Sequence, residues 1–253
     1  SVASSIPQVE VAASETAVVL VVRHLERLSI SDEALLTELQ RDSGLVIYLQ
    51  SSGPESVRPL TSLPTKLSYK IDATEIEFLP TDFTQINQQV NQQMVLEVRN
   101  ALNLSGRENV LDLFSGIGNF TVPLSYMCAS IKGIDGSAAL VERATENAEK
   151  NAALNCIFEQ RDLFDQASIN LIQWDFYQRL LLDPPRSGAE VVVRHPGLDA
   201  IPRIVYVSCN GATLIRDAKV LCVDRGYRLQ QFGILDMFPQ TAHVEVLAVF
   251  EKH

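Results

Sequence analysis

Cysteine is scarce in this chain, and its spacing does not suit a disulfide framework. The 253 residues hold four, Cys128, Cys156, Cys209 and Cys222, and no pair stands at C-x-x-C spacing, so neither a stapled secreted fold nor a metal site is expected. Long hydrophobic runs are missing too. Nothing approaches the ~20 apolar residues of a membrane span, and no charged-then-apolar leader opens the chain, so the expectations are no membrane partner and a reducing cytoplasm. A basic face is also lacking: the formal net charge is −10, whereas a self-sufficient nucleic-acid binder normally carries a positive patch. Any RNA substrate would have to find much of its phosphate affinity elsewhere. The first residue is Ser1 rather than Met, and a fragment or processed chain is the expectation.

What is present is an ordinary globular composition, 46% apolar and 21% charged, ample for one large or two modest domains. Two textures divide it. Residues 1–80 read as a small α+β domain: strands at Ala17–Arg23, Leu45–Gln50, Leu67–Ile71 and Glu75–Leu79, a helix near Ser31–Gln40 started by Ser31, and a loop at Ser51–Pro64. Residues 81–253 alternate strand and helix. Helix Asn87–Leu102 precedes strand Asn109–Leu113, helix Asn119–Cys128, strand Ser130–Asp135, helix Ala138–Ala153 and strand Ile157–Gln160. Strand Arg179–Leu182, a helix near Gly188–His195, strand Ile204–Val207 and helix Ala212–Val223 follow. The last strands, Arg228–Leu235 and Val244–Phe250, should pair antiparallel. Such alternation predicts a Rossmann-like α/β domain, a mostly parallel sheet covered on both faces.

In that architecture ligands bind at the carboxyl ends of the strands, and those ends are rich in chemistry. Asp112-Leu-Phe-Ser-Gly116-Ile-Gly118-Asn-Phe120 leaves the first strand and opens a helix. The dinucleotide fingerprint G-x-G-x-x-G needs glycine at 121, where Thr121 stands. A G-x-G pair behind an acidic residue suits a ligand without a pyrophosphate, such as S-adenosylmethionine, whose amino and sulfonium groups favour carboxylates. Asp135 closes the next strand, placed for ribose hydroxyls, and Asp162 follows the third, placed for an adenine amino group. A bare G-x-G is weak alone; the three strand ends together favour the ligand.

Asp183-Pro184-Pro185-Arg186 ends the fourth strand, the prolines fixing the carboxylate at the crevice. Amino-directed methyltransferases use a similar Pro-Pro element followed by an aromatic residue; Arg186 in that place argues against an exocyclic-amine target. Cys209 stands where the buried strand Val205–Ser208 should end, with a helix starting behind it. A helix N-terminus would lower the thiol pKa, so Cys209 is a candidate nucleophile, while the other three cysteines read as core residues. Glu245 is a carboxylate in an apolar strand: buried, it would have a raised pKa and suit a general base; at a frayed end it would be solvated. Spacing leaves both open. His243 reads as a positioning or packing residue.

These motifs, in this order, resemble the RNA (uracil-5-)-methyltransferase family over about Thr81–Lys252. Phe83-Thr-Gln85-Ile-Asn87 is similar to its F-x-Q-x-N element, Asp112–Phe120 to its cofactor loop, and Asp183-Pro-Pro-Arg, Ser208-Cys209-Asn210 and His243-Val-Glu245 complete the set. Leu235–Glu245 and Val18–Gln50 resemble the bacterial 23S rRNA branch. The resemblance implies that Gln85, Phe114, Asn119, Asp135, Asp162 and Asp183 line an S-adenosyl-L-methionine site, that Cys209 is the nucleophile and that Glu245 is the base. It also implies 23S rRNA as the RNA partner and a monomeric cytoplasmic enzyme. Ser115 often appears as cysteine in relatives and Asp135 as glutamate. The 23S members carry an N-terminal β-barrel and a four-cysteine iron–sulfur cluster; neither is visible here, and both are expected only in a missing N-terminal part. A tRNA uracil-5 methyltransferase shares the chemistry, and a non-catalytic RNA-binding or assembly module is a third reading that intact Cys209, Glu245 and Asp183 argue against.

Overall fold

A computed structural model describes residues 3–14, 16–61, 65 and 67–252. The chain divides into two compact units, Ser1–Tyr69 with Glu77–Phe83, and Lys70–Ile76 with Thr84–His253.

The first unit is built on a four-stranded sheet of β1 (Gln8–Ala13), β2 (Val18–Arg23), β3 (Val46–Gln50) and β4 (Arg58–Pro59), in that spatial order. β2 and β3 run parallel, which requires a crossover, and α1 (Ile30–Ser43) supplies it. The helix starts at Ser29 rather than Ser31. Ser29 Oγ accepts from Asp32 N while Asp32 Oδ2 accepts from Ser29 N, a closed capping box that Ser31 has no partner to form. Gly44, at φ 70°, ends it in the left-handed region. Two elements went unread in the sequence: β1, mostly exposed and therefore weakly patterned, and the short β4 inside the expected loop. Residues 62–64 of that loop lie outside the described residues. Next come β5 (Leu67–Ile71) and β6 (Thr74–Phe78), a two-stranded sheet.

The second unit holds α2 (Gln88–Leu102), β7 (Asn109–Leu113), α3 (Thr121–Ser125), β8 (Ser130–Asp135), α4 (Ala138–Lys150) and β9 (Cys156–Gln160). After these come α5 (Gln166–Ile169), β10 (Arg179–Leu182), α6 (Glu190–Val193), β11 (Arg203–Ser208), α7 (Gly211–Lys219), β12 (Arg228–Leu235) and β13 (Glu245–Glu251). Its sheet has the order β12-β13-β11-β10-β7-β8-β9. β7 to β11 are parallel neighbours, and β13 runs antiparallel between β11 and β12. Sequence dictates that inversion: Val246-Leu-Ala-Val-Phe250 is apolar on both faces and buried throughout, whereas β12 interleaves Arg, Gln and Gly and stays exposed as the edge. Leu111, Leu113, Leu180, Leu182, Ile204 and Tyr206 pack fully buried in the core, each apolar side chain stabilising by roughly 1.5–3 kcal/mol. The expected parallel α/β sheet is therefore present. The helix expected over Asn119–Cys128 is shorter, Thr121–Ser125, because the glycine turn extends further into it. Strand order reverses between β7 and β10, and in an open α/β sheet the carboxyl ends at such a reversal are where a ligand crevice is expected.

Candidate active site

Strand registry assembles one wall of the crevice. Ser208 pairs with Val246 across β11 and β13, so Cys209 follows opposite Glu245. Leu182 pairs with Tyr206 on one side and Leu113 on the other, so Asp183 emerges between Phe114 and Val207, its N–H donating to Leu113 O at 3.3 Å. Cys209, Asp183 and Glu245 are brought within electrostatic reach of one another. Glu245 is 4% exposed, so of the two readings left open, the buried one holds, and burial pushes its carboxyl up to about 7. Asp183 is pushed well above the usual carboxylate range by burial first, then by Glu245 and Asp112.

The thiol departs from expectation. A helix does start behind Cys209, with Asn210 as its cap, but the thiol pKa is raised, not lowered. Burial is the main cause, followed by the negative charges of Glu245 and Asp183; Arg186 pulls the other way. Burial, with two carboxylates from neighbouring strands adding to it, outweighs one helix end whose field fades within a turn. Protonation of those carboxylates removes their part of the opposition, so the three groups titrate as a set.

The glycine turn follows β7, on the other side of Asp183 from Cys209. Phe114, Gly116 and Gly118 take φ values of 67°, 54° and 89°, and Phe114 N and Ser115 N both donate to Ile134 O. Asp135 fastens the turn, accepting from Gly116 N at 3.0 Å and from Ser137 N at 2.9 Å. A side-chain carbon added to Gly116 would meet nothing within 4 Å, so the space beside it is open. Thr121, standing where a dinucleotide site would have glycine, donates to Asp112 Oδ2 at 2.6 Å. Asp112 is wholly buried; its pKa is pushed up to about 7 by desolvation, with a further push from Asp135 that the Thr121 bond opposes. Asp112 Oδ1 and Ser115 Oγ are buried without a hydrogen-bond partner.

The remaining expected residues fall into smaller groups. Asn119 is locked to Asn91 of α2 by two reciprocal amide bonds, 2.8 and 3.0 Å. Phe114 packs on Phe164 with ring centroids 5.6 Å apart, and Phe164 N donates to the exposed Asp162. Gln85 buries its Oε1 with no partner, while Phe83 is exposed. Sequence reading passed over Asn91, Phe164 and the role of Thr121; an amide on the inner face of α2 was the available signal for the first.

The family model for tRNA (Uracil-5-)-methyltransferase matches residues 65–253. The chain belongs to that family. Relatives include the 23S rRNA (uracil(1939)-C(5))-methyltransferases RlmD of Nitrosococcus oceani, 47% identical, and of Stenotrophomonas maltophilia, 46% identical. In each case 98% of this chain aligns to 56% of the relative. The chain thus spans little more than half the length of these uracil-5 relatives. Among solved structures, the Pyrococcus abyssi tRNA (uracil-54, C5)-methyltransferase in complex with S-adenosyl-L-homocysteine superposes with a TM-score of 0.71 at 25% identity, over 95% of this chain and 58% of that one. P. horikoshii TYW2 in complex with MeSAdo shares the fold, with a TM-score of 0.63 at 16% identity, over 93% of this chain and 89% of that one. Within this uracil-5-methyltransferase member, no group of three or more metal-ligating side chains occurs among the described residues, and no helix there is long and apolar enough to cross a membrane.

Proposed function

We propose that this chain carries the catalytic part of an S-adenosyl-L-methionine-dependent methyltransferase acting on C5 of a uridine in 23S rRNA, in the bacterial cytoplasm. Residues 81–253 are the catalytic domain, preceded in sequence by a small α+β domain. The observation that carries the reading is the convergence of Cys209, Glu245 and Asp183 beside an open, acidic glycine turn. The named 23S enzymes among the relatives support the choice of RNA.

The turn fits the cofactor by its own chemistry. Orphaned oxygens on Asp112 and Ser115, open space over Gly116 and the carboxylates of Asp135 and Asp162 suit a cationic, hydroxyl-bearing ligand. Phe114, Asn119 and Gln85 would complete its surroundings, with Asp183 facing the reacting end. When bound, S-adenosyl-L-methionine supplies an electrophilic sulfonium methyl.

Uracil C5 is a poor nucleophile because its π electrons are drawn into the ring carbonyls. The Cys209 thiolate adds to C6, forming an S–C bond and placing the electron pair on C5 and O4. Once C5 carries a methyl group, which the bound sulfonium would supply by giving up its S–CH3 bond and leaving as a neutral thioether, Glu245 removes the C5 proton and the C–H pair re-forms the C5–C6 double bond, expelling Cys209 as thiolate. A carboxyl raised to about 7 is matched to accepting a proton near neutrality. The target base must be splayed from its stack, at a cost of a few kcal/mol.

The test is adduct trapping. The full-length protein is incubated with S-adenosyl-L-methionine and 5-fluorouridine-substituted 23S rRNA, whose C5 fluorine cannot leave as a proton. A denaturation-resistant complex, absent in Cys209→Ala, is expected. An adduct on tRNA instead would move the enzyme to the sister branch, and none on either would overturn the reading.

A further inference from the structure

Behind the crevice, one face of α7 is written in polar residues, Asn210, Thr213, Arg216 and Asp217, spaced three to four apart as neighbours along a helix. Every one of them touches the loop that follows Asp183. Asn210 Nδ2 donates to Arg186 O at 2.9 Å. Thr213 Oγ1 lies 3.2 Å from the same carbonyl and 3.1 Å from Asn210 O. Arg216 Nη2 donates to Ser187 O at 2.9 Å, and Asp217 Oδ2 accepts from Ala189 N at 2.7 Å and from the Tyr206 hydroxyl at 2.7 Å. The helix thus reads the loop backbone at residues 186, 187 and 189. Between them, Gly188 holds φ 77°, and a side-chain carbon there would come within 2.6 Å of Arg216 and 2.7 Å of Asp217.

We propose that this polar stripe of α7 is a positioning device, which fixes the Asp183–Ala189 loop against the segment carrying Cys209 and so sets where the Arg186 guanidinium stands relative to the thiol. The Arg186 side chain is exposed; what the protein fixes is its carbonyl, held by Asn210 and Thr213. Neither residue is catalytic: each acts through Arg186. The charged groups facing the thiol are Glu245 from β13, Asp183 from the end of β10, and Arg186. Arg186 is the cation among them and, though the smallest of these influences, the one side-chain charge that favours the thiolate. Arg216 and Asp217 hold the far end of the loop, bonded to each other at 2.7–2.8 Å, and Tyr206 ties them to β11, the strand that delivers Cys209.

The inference rests on Cys209 as the reactive thiol, and its test reads that thiol without RNA. Iodoacetamide is added to the 253-residue chain across a pH series, and S-alkylation of the Cys209 peptide is followed by mass spectrometry. The thiolate displaces iodide and forms one S–C bond, so the rate tracks the thiolate fraction. Asn210→Ser keeps an oxygen for the helix cap while removing the amide donor, and Thr213→Val keeps shape while removing the hydroxyl. The combined variant should shift the rate–pH profile upward by about half a unit, an approximately threefold slowing near neutrality. Thr213→Ser, which keeps the hydroxyl, should follow the native profile. In an Arg186→Gln background the combined change should produce no further shift, because the route through Arg186 is already cut. An equal shift in that background, or none in the native one, overturns the proposal. Because cofactor and RNA are absent, a failed uracil assignment would leave this result standing, and the reverse.

Discussion

Two sets of buried polar groups lie on the same sheet and are treated in opposite ways. In the α7 clamp, Asp217 is wholly buried yet fully engaged, with Ala189 N–H, Tyr206 hydroxyl and Arg216 guanidinium all donating to its carboxylate. In the crevice, Asp112 is equally buried but leaves one oxygen unpaired, Ser115 Oγ has no partner, and Asp112 and Glu245 both sit near 7. An unpaired buried polar group costs about 1–3 kcal/mol. Folding alone gives no reason to retain two such atoms beside a buried, proton-holding Glu245 at one sheet end, whereas binding and proton transfer would. The contrast separates groups that serve the fold from groups held in reserve for a ligand.

The comparison breaks first if Glu245 behaves as a structural group. Glu245→Gln removes the proposed base while keeping size and hydrogen-bonding capacity. Turnover should fall roughly a hundred- to ten-thousand-fold, with an RNA adduct to Cys209 accumulating and cofactor binding retained. In the native enzyme the rate should rise with pH through about 7, as the carboxyl loses its proton. Normal turnover in the variant would place the proton acceptor elsewhere. Next in size is Asp217→Ala, which leaves the Ala189 N–H and the Tyr206 hydroxyl without their buried acceptor, while the partly exposed Arg216 keeps Glu190 at 3.3 Å. Each stranded buried donor costs about 1–3 kcal/mol, read as a lower urea midpoint. A loss well under 1 kcal/mol would deny the clamp its structural part.

How much of this contrast the sequence discloses depends on whether the reason for each residue is local. Asp183 and Cys209 are legible because each ends an apolar run and Asp135 because it closes a strand, and a parallel sheet gathers such ends on one edge. The antiparallel pairing of the last two strands was legible from their closeness in sequence, whereas the insertion of β13 between β11 and β12 was not read. Asp217 was not legible: a charged residue on an amphipathic helix reads as solvent-facing, and only the return of the 186–189 loop buries it. Thr121 looked like a broken glycine fingerprint until Asp112 was found beneath it. The thiol was misread for the same reason. Its helix is local, while the burial that raises the thiol comes from tertiary packing and the carboxylates that add to it arrive from β10 and β13.

A third measurement sharpens the crevice side. Burial lifts the Asp112 carboxyl from its ordinary value of 3.8 to about 7 on folding. A raised acid favours the folded state fully below the unfolded pKa, and that advantage drains as pH rises through the folded one. Stability should therefore decline between about pH 4 and pH 7, by at most about 1.4 kcal/mol per pH unit. Asp112→Asn, which cannot ionise, should flatten that decline in urea midpoints taken across the window. An unchanged slope would mean that other groups carry it.

Thr121→Val gives the smallest effect and the finest discrimination. The hydroxyl donates to Asp112 Oδ2 and holds its pKa down against burial. Losing that bond raises the folded-state pKa further, which extends upward the range over which stability drains. Near pH 4, where folded Asp112 is protonated, the cost is that of a neutral hydrogen bond, about 1 kcal/mol. Above about 7 it should be larger, because the lost partner is then that of a buried anion, worth about 1.5–3 kcal/mol. The sign of the pH trend is the informative part: a cost independent of pH would mean that Asp112 keeps one charge state throughout. The crevice would then be as settled as the clamp, and the reserve attributed to its orphaned oxygens would have to lie in Ser115 and Gln85 instead.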